Sequence, residues 1–307
     1  MNLDELLQSE KQVLSEGSVY ELLRRSPDVA FDEHIAHASL IYDAKSAIVL
    51  EQVMRSYIDV GVSLRWPMII ITATWRANRD RIQASAFSDR AVNEDNVQFF
   101  HEIRESYADS GVPILVGGNI GPKGDAYKPE EALDVDTAKS FHLFQIEALA
   151  SSGVDFLQVS TLPALSEALG IALAMSDTGL PYVISFVVDK SGRLLDGTLL
   201  SDAIYQIDER VGDATARYAV NCVHPTVLHQ ALDNNTGIEG RIIGFCGNTS
   251  ARSADELDGL EELDTEAPDT FALANKQLLD AHDIRIIGGC CGTNPAHIRA
   301  IADLLNS

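Results

Sequence analysis

Short apolar runs rich in Val, Ile and Phe recur along this chain, and most are followed by longer stretches in which apolar positions return every three or four residues. The runs are QVLSEG (12–17), MIIITAT (68–74), PILVGGN (113–119), VDFLQVST (154–161), PYVISFVV (181–188), RYAVNC (217–222), RIIGFC (241–246) and IRIIGG (284–289), eight in all. Continuous apolar runs of this kind belong to strands buried on both faces, as in a parallel sheet. The stretches NEDNVQFFHEIRESYADSG, DVDTAKSFHLFQIEALASSG and LPALSEALGIALAM carry the helical period instead. Thr161-Leu162-Pro163 and Asn294-Pro295 set a proline near a first helical turn, beside groups able to cap it. Eight such βα units predict an α/β chain folded as a single (β/α)8 TIM barrel over residues 1–307. The competing arrangement is a doubly wound open sheet, because residues 18–66 leave room for further helices. No linker, low-complexity tract or short-period repeat divides the chain.

Composition narrows the picture. The 307 residues are 46% hydrophobic, ample for a large core, and no apolar run approaches the roughly 18 residues of a membrane span. The start, MNLDELLQSEKQ, has neither the basic nor the apolar part of a signal peptide, so a cytoplasmic protein is expected. Forty-six acidic against 23 basic side chains give a net charge of −23, which repels nucleic acid and anionic lipid and points to small-molecule partners. An oligomer is compatible with this pattern. Four cysteines are too few for a disulfide scaffold and read as reduced thiols open to metal or catalysis.

In a barrel of this type the catalytic groups stand where strands end. Cys222 closes the sixth run, Cys246 the seventh, and Cys290 with Cys291 the eighth, which brings thiols distant in sequence to one rim. Neighbouring side chains on a regular strand point to opposite faces, so Cys290 and Cys291 share an ion only if the backbone turns there. Gly288, Gly289 and Gly292 permit that turn. Three thiolates about zinc leave the fourth tetrahedral position open, as catalytic sites do. A lone strand cysteine is more often a small buried hydrophobe, and that reading is retained for Cys246. His224 reads as an exposed helix start and residues 32–37 as helix surface. The acidic stretch 252–270 reads as a solvated loop, or else as a cover that concentrates a cationic donor at the mouth.

At these residues the chain resembles the homocysteine S-methyltransferase family, and the likeness runs over nearly its whole length. Asn221-Cys222 with Pro225, and Gly288-Gly289-Cys290-Cys291-Gly292-Thr293, are similar to that family's zinc-ligand motifs. Gly117 to Pro122 with Gly124-Asp125-Ala126-Tyr127, Thr161-Leu162-Pro163 with Glu167-Ala168, Ser185-Phe186, and Pro295-Ala296-His297-Ile298 also fit. The resemblance implies a zinc enzyme, Zn2+ held by Cys222, Cys290 and Cys291, that moves a methyl group from a small donor to the thiolate of homocysteine, giving methionine. S-methylmethionine or S-adenosylmethionine is the leading donor, betaine the second. Glu16, Gly17, Thr72, Trp75, Ser160 and Asn221 are the expected substrate-contacting residues. Three places depart from the family's pattern. Ser15-Glu16-Gly17-Ser18 stands where Asp-Gly is usual, Ser160-Thr161 where Glu-Thr is usual, and Thr72-Ala73-Thr74-Trp75 where Thr-Asn-Thr-aromatic is usual. Losing the carboxylate at Ser160 opens two alternatives: a methyltransferase for a different thiol, or a non-catalytic zinc-binding barrel or partner subunit. Trp75 is either a core ring or a wall facing a cationic donor.

Overall fold

The computed structural model describes residues 1–10, 12–212, 216–252 and 264–306. Eight parallel strands close on one another in sequence order: β1 (Val13–Ser15), β2 (Met68–Ile71), β3 (Ile114–Ile120), β4 (Phe156–Leu162), β5 (Tyr182–Phe186), β6 (Ala216–Asn221), β7 (Ile242–Gly247) and β8 (Ile286–Gly289). The ring is shut by β1 pairing with β8, Val13 opposite Ile286 and Leu14 opposite Ile287. The chain is therefore a single (β/α)8 barrel, and the open-sheet arrangement is excluded.

Each strand feeds two cores, which is why its sequence reads as uninterrupted apolar. Met68 and Ile70 of β2 pack outward against the surrounding helices, with Leu50, Met54, Tyr57 and Ile58 of the helix Ala44–Leu64 in the same cluster. Ile69 points inward, where it meets Val13, Leu115, Phe156, Val183, Ala219 and Ile286 from other strands. Gly117 makes room for this inner layer, because a Cβ there would stand 2.4 Å from the Phe156 ring. Leu3 and Leu6 join the same inner cluster, so the first helix, Leu3–Ser9, stoppers the end of the barrel from which the strands start. That helix begins on a reciprocal capping box in which Asn2 and Glu5 satisfy each other's backbone amides.

Farther along the strands the interior turns polar. Asn119, Ser160, Ser185 and Asn221 are buried at the ends of β3 to β6, and Glu16 and Thr72 follow β1 and β2. A barrel apolar at one end and polar at the other directs its chemistry to the rim where strands end. The region between β1 and β2 does hold extra helices, Val19–Arg24 and a short 3-10 helix His37–Tyr42, besides Ala44–Leu64. Among the described residues no helix is long and apolar enough to cross a membrane.

Candidate active site at the strand ends

Cys222, Cys290 and Cys291 come together at this rim, their sulfurs all within 4.8 Å of one another. Local backbone makes this possible. Cys222, just past β6, has φ 59°, the left-handed region that side chains rarely adopt. It is held there by its N–H donating to the Cys246 carbonyl at 3.1 Å and by Asn248 Nδ2 donating to its own carbonyl at 2.8 Å. After β8, Cys290 to Thr293 form a turn closed by Thr293 N donating to the Cys290 carbonyl at 3.1 Å. Gly292 occupies the third position with φ 86°, and a Cβ there would stand 1.9 Å from Thr249 Oγ1. Cys290 N continues the β7 ladder to Gly247, while Cys291 N turns to Asn248 Oδ1 at 3.0 Å. Asn248 thus ties both halves of the cluster together. The turn aims two consecutive sulfurs at one point, which a regular strand cannot do.

A second knot lies beside it. Asn221 Nδ2 donates to Thr161 Oγ1 at 2.6 Å and approaches Cys222 Sγ at 3.1 Å, while Asn221 Oδ1 accepts from Thr161 N at 3.0 Å and Ser185 Oγ at 2.6 Å. Thr161 is itself at φ 65°, where the pairing of β4 with β5 slips register. That bulge lets Thr161 join Gln158 and Ser160 in lining the cavity, although strict alternation would turn it away. Non-glycine residues in this region cost about 1–2 kcal/mol each, a strain carried here by the hydrogen bonds around Asn221. Hydrogen bonds from Cys290 and then Cys291 push the Cys222 thiol well below its usual pKa, and the same contacts push the other two thiols up.

The sulfurs open onto a cavity of about 290 Å³ that Glu16, Gly17, Thr72, Trp75, Ser160 and Asn221 all line. Glu16 is buried, accepts from Ile71 N at 3.1 Å, and has its carboxyl pushed up to about 8 by loss of solvent. Thr72 Oγ1 accepts from Asn119 N at 3.0 Å and shares a 2.7 Å contact with Thr74. Ser160 Oγ donates to Asn119 Oδ1 at 2.9 Å and accepts from Gln158 Nε2 at 3.0 Å, so the fourth strand brings an amide and hydroxyls but no carboxylate. Trp75 Nε1 donates to the Ser160 carbonyl at 3.2 Å, and the Arg76 guanidinium lies 4.2 Å from the centre of its ring. One face of that indole is already occupied by a cation. Cys246 lines the same cavity apart from the three-sulfur cluster, and burial pushes its thiol up to about 12.

Several lining residues escaped the sequence reading. Tyr127 lines the cavity beside the Cys222 sulfur, whose charge raises the phenol's pKa. It sits in a loop recognised only as part of a motif. Tyr20 and His37 pack edge to face at 5.2 Å, and both line the cavity. His37 is therefore a buried wall residue, not helix surface, with burial lowering its pKa to about 4. Residues 32–36 form a turn instead, with Asp32 Oδ1 accepting from His34 N and Ile35 N. His224 does start a helix, capping Pro225–Asp233, but it is buried, because Nε2 meets Glu266 Oε1 at 2.9 Å. Of the acidic stretch, residues 253–263 lie outside the described residues.

The homocysteine S-methyltransferase family model matches residues 9–305. Homocysteine S-methyltransferase 2 of Arabidopsis thaliana is 24% identical, with 95% of each chain aligned. A selenocysteine methyltransferase of Astragalus bisulcatus is 25% identical over 84% of this chain and 83% of its own. The metallated form of the Escherichia coli homocysteine methyltransferase MmuM superposes with a TM-score of 0.77 at 23% identity, covering 98% of this chain and 99% of the other. The chain belongs to the homocysteine S-methyltransferase family and is an S-methyltransferase.

Proposed function

We propose that this chain transfers a methyl group from a cationic small-molecule donor to the thiolate of homocysteine, yielding methionine, with zinc held by Cys222, Cys290 and Cys291. The observation that carries the reading is the convergence of three sulfurs from two separate strand ends within 4.8 Å, on the wall of a cavity. A soft, all-thiolate donor set suits zinc. When bound, zinc supplies the charge that strips the acceptor thiol of its proton and leaves a thiolate able to attack carbon.

The rest is positioning by the chain. Asn221 and Thr161 hold the Cys222 sulfur in place. Glu16 is the buried carboxyl available to the acceptor's ammonium, whose approach would return it to the charged form. The described cavity lining contains Glu16 and Glu21 but no lysine or arginine, and the rings of Tyr20, Trp75 and Tyr127 border it. That composition favours a donor carrying positive charge at the methyl-bearing atom. Such a donor leaves as a neutral thioether or amine and needs no general acid. A cavity of about 290 Å³ that must hold donor and acceptor together favours the compact S-methylmethionine or betaine over S-adenosylmethionine, and the positive net charge of S-methylmethionine puts it first.

A second reading concerns the acceptor. Ser160 spends its hydroxyl on Asn119 and offers no carboxylate, which favours a thiol or selenol whose ammonium is held by Glu16 alone. Zinc-loaded protein is to be incubated with homocysteine or selenocysteine and a panel of sulfonium and betaine donors, followed by product detection. Methionine from a sulfonium donor, abolished in Cys222→Ala, is the expected result. No methylated product from any pair, with metal demonstrably bound, overturns the reading.

A further inference from the structure

Away from the rim, two helices leave a different set of metal-type ligands facing one another. His229 and Asp233 lie one turn apart on the helix Pro225–Asp233, and His282 follows the last turn of the helix Pro268–Ala281. One ligand atom from each lies within 4.8 Å of the other two. His229 Nε2 stands 3.9 Å from Asp233 Oδ2, and His282 Nε2 stands 4.0 Å from Asp233 Oδ1. These distances are too long for hydrogen bonds. Among the described residues the buried His282 Nε2, the atom that faces Asp233, has no hydrogen-bond partner. A buried polar atom left unpaired costs about 1–3 kcal/mol, so the arrangement asks for a ligand.

The chemistry of the group says which. The two imidazoles meet edge to face with ring centres 5.1 Å apart, and burial followed by the neighbouring His229 lowers the His282 pKa against the pull of Asp233. A neutral imidazole keeps the lone pair that a metal requires. Ligands at about 2.0–2.2 Å from a tetrahedral ion stand roughly 3.3–3.6 Å apart, so three ligand atoms already within 4.8 Å of one another must draw inward by about 1 Å at most. The Asp233 side chain is 63% exposed and free to do so.

We propose that His229, Asp233 and His282 form a second divalent-metal site, of the zinc, cobalt(II) or nickel(II) class, separate from the three thiols. Its consequence follows from chain order. The helix bearing His229 starts three residues after Cys222, and His282 precedes the strand that leads to Cys290. An ion here clamps together the two segments that carry the sulfur cluster, at the ends away from it. Its role is structural, and it does not depend on the methyl-transfer reading.

The test uses untagged full-length chain titrated with cobalt(II), following both total bound metal and the thiolate-to-cobalt charge-transfer band. Wild type is expected to bind two equivalents, one raising that band and one not. His229→Ala and His282→Ala are expected to lose the second equivalent and keep the first, with unchanged circular dichroism in chelator. Asp233→Asn, at an exposed position, supplies the same reading should a histidine variant fail to fold. Saturating zinc is expected to raise the wild-type melting temperature more than that of any of the three variants. A wild type that binds no cobalt outside the thiolate band, or variants that keep the second equivalent, overturns the proposal. Loss of the thiolate band alone would count against the sulfur site and leave this one standing.

Discussion

At the scale of single residues, the site depends on a few side chains held where they are costly. Glu16 is the clearest case, because its burial favours the protonated form and lifts its pKa from 4.5 to about 8. Between those values the folded chain keeps a proton that the unfolded chain releases, so this group's contribution to stability falls as pH rises from about 4.5 to 8. Glu16→Gln is expected to remove that slope and to be more stable than wild type at pH 8 by on the order of a few kcal/mol, read by urea unfolding at two pH values. The same variant is expected to raise the acceptor KM, because the amide cannot become a carboxylate. Cys222→Ala is expected to lose the metal of the sulfur cluster and with it all turnover, measured by metal content after dialysis. Cysteines at the rim were legible in the sequence because strand ends are where a barrel does its chemistry. Tyr127, His37 and Asn119 were not, because their role arises from loop and strand geometry that joins β1, β3 and the helix region after β1 around one cavity. Residue type alone gives a tyrosine or histidine no such address.

At the scale of elements, the eight apolar runs marked the strands well, though β1 is only three residues long where the run spans 12–17. The shortfall is physical: Glu16 and Gly17 belong to the cavity wall, and the polar rim takes over where pairing ends. The bulge at Thr161 was hidden for a related reason, since threonine at φ 65° is decided by what Asn221 offers across the barrel, not by threonine's own preference. The stopper helix Leu3–Ser9 was read only as a start without a leader's features, since so short an amphipathic stretch has no visible partner until the barrel closes above it. Leu6→Ala is expected to cost about 2–5 kcal/mol in chemical denaturation while leaving metal stoichiometry unchanged, because Leu6 packs at the end opposite the thiols. Gly292→Ala tests the turn instead. With φ 86° and Thr249 Oγ1 at 1.9 Å from the added carbon, the turn must move, and Cys291 with it. The expected result is a loss of about 1–3 kcal/mol accompanied by weakened metal affinity, a pairing that separates it from Leu6→Ala.

For the molecule as a whole, the acidic excess acts on the donor before any contact forms. A net charge of −23 surrounds a mouth whose described lining includes Glu21 and no lysine or arginine, so a cationic donor is drawn in and an anionic one repelled. The strength of that pull depends on the donor's own charge. S-methylmethionine and S-adenosylmethionine each carry a net positive charge near neutral pH, since sulfonium and ammonium outnumber the single carboxylate, whereas betaine is a neutral zwitterion. The screening length falls from about 30 Å at 0.01 M salt to about 8 Å at 0.15 M, which removes most of the long-range attraction while leaving contacts inside the cavity largely intact. The kcat/KM for a sulfonium donor is therefore expected to fall severalfold across that range, with kcat at saturation nearly unchanged, while the betaine value stays flat. Steady-state kinetics at fixed pH with both donors measure this directly. A sulfonium kcat/KM independent of salt would mean that the field does not reach the mouth, and that selection among donors rests on the rings of Tyr20, Trp75 and Tyr127.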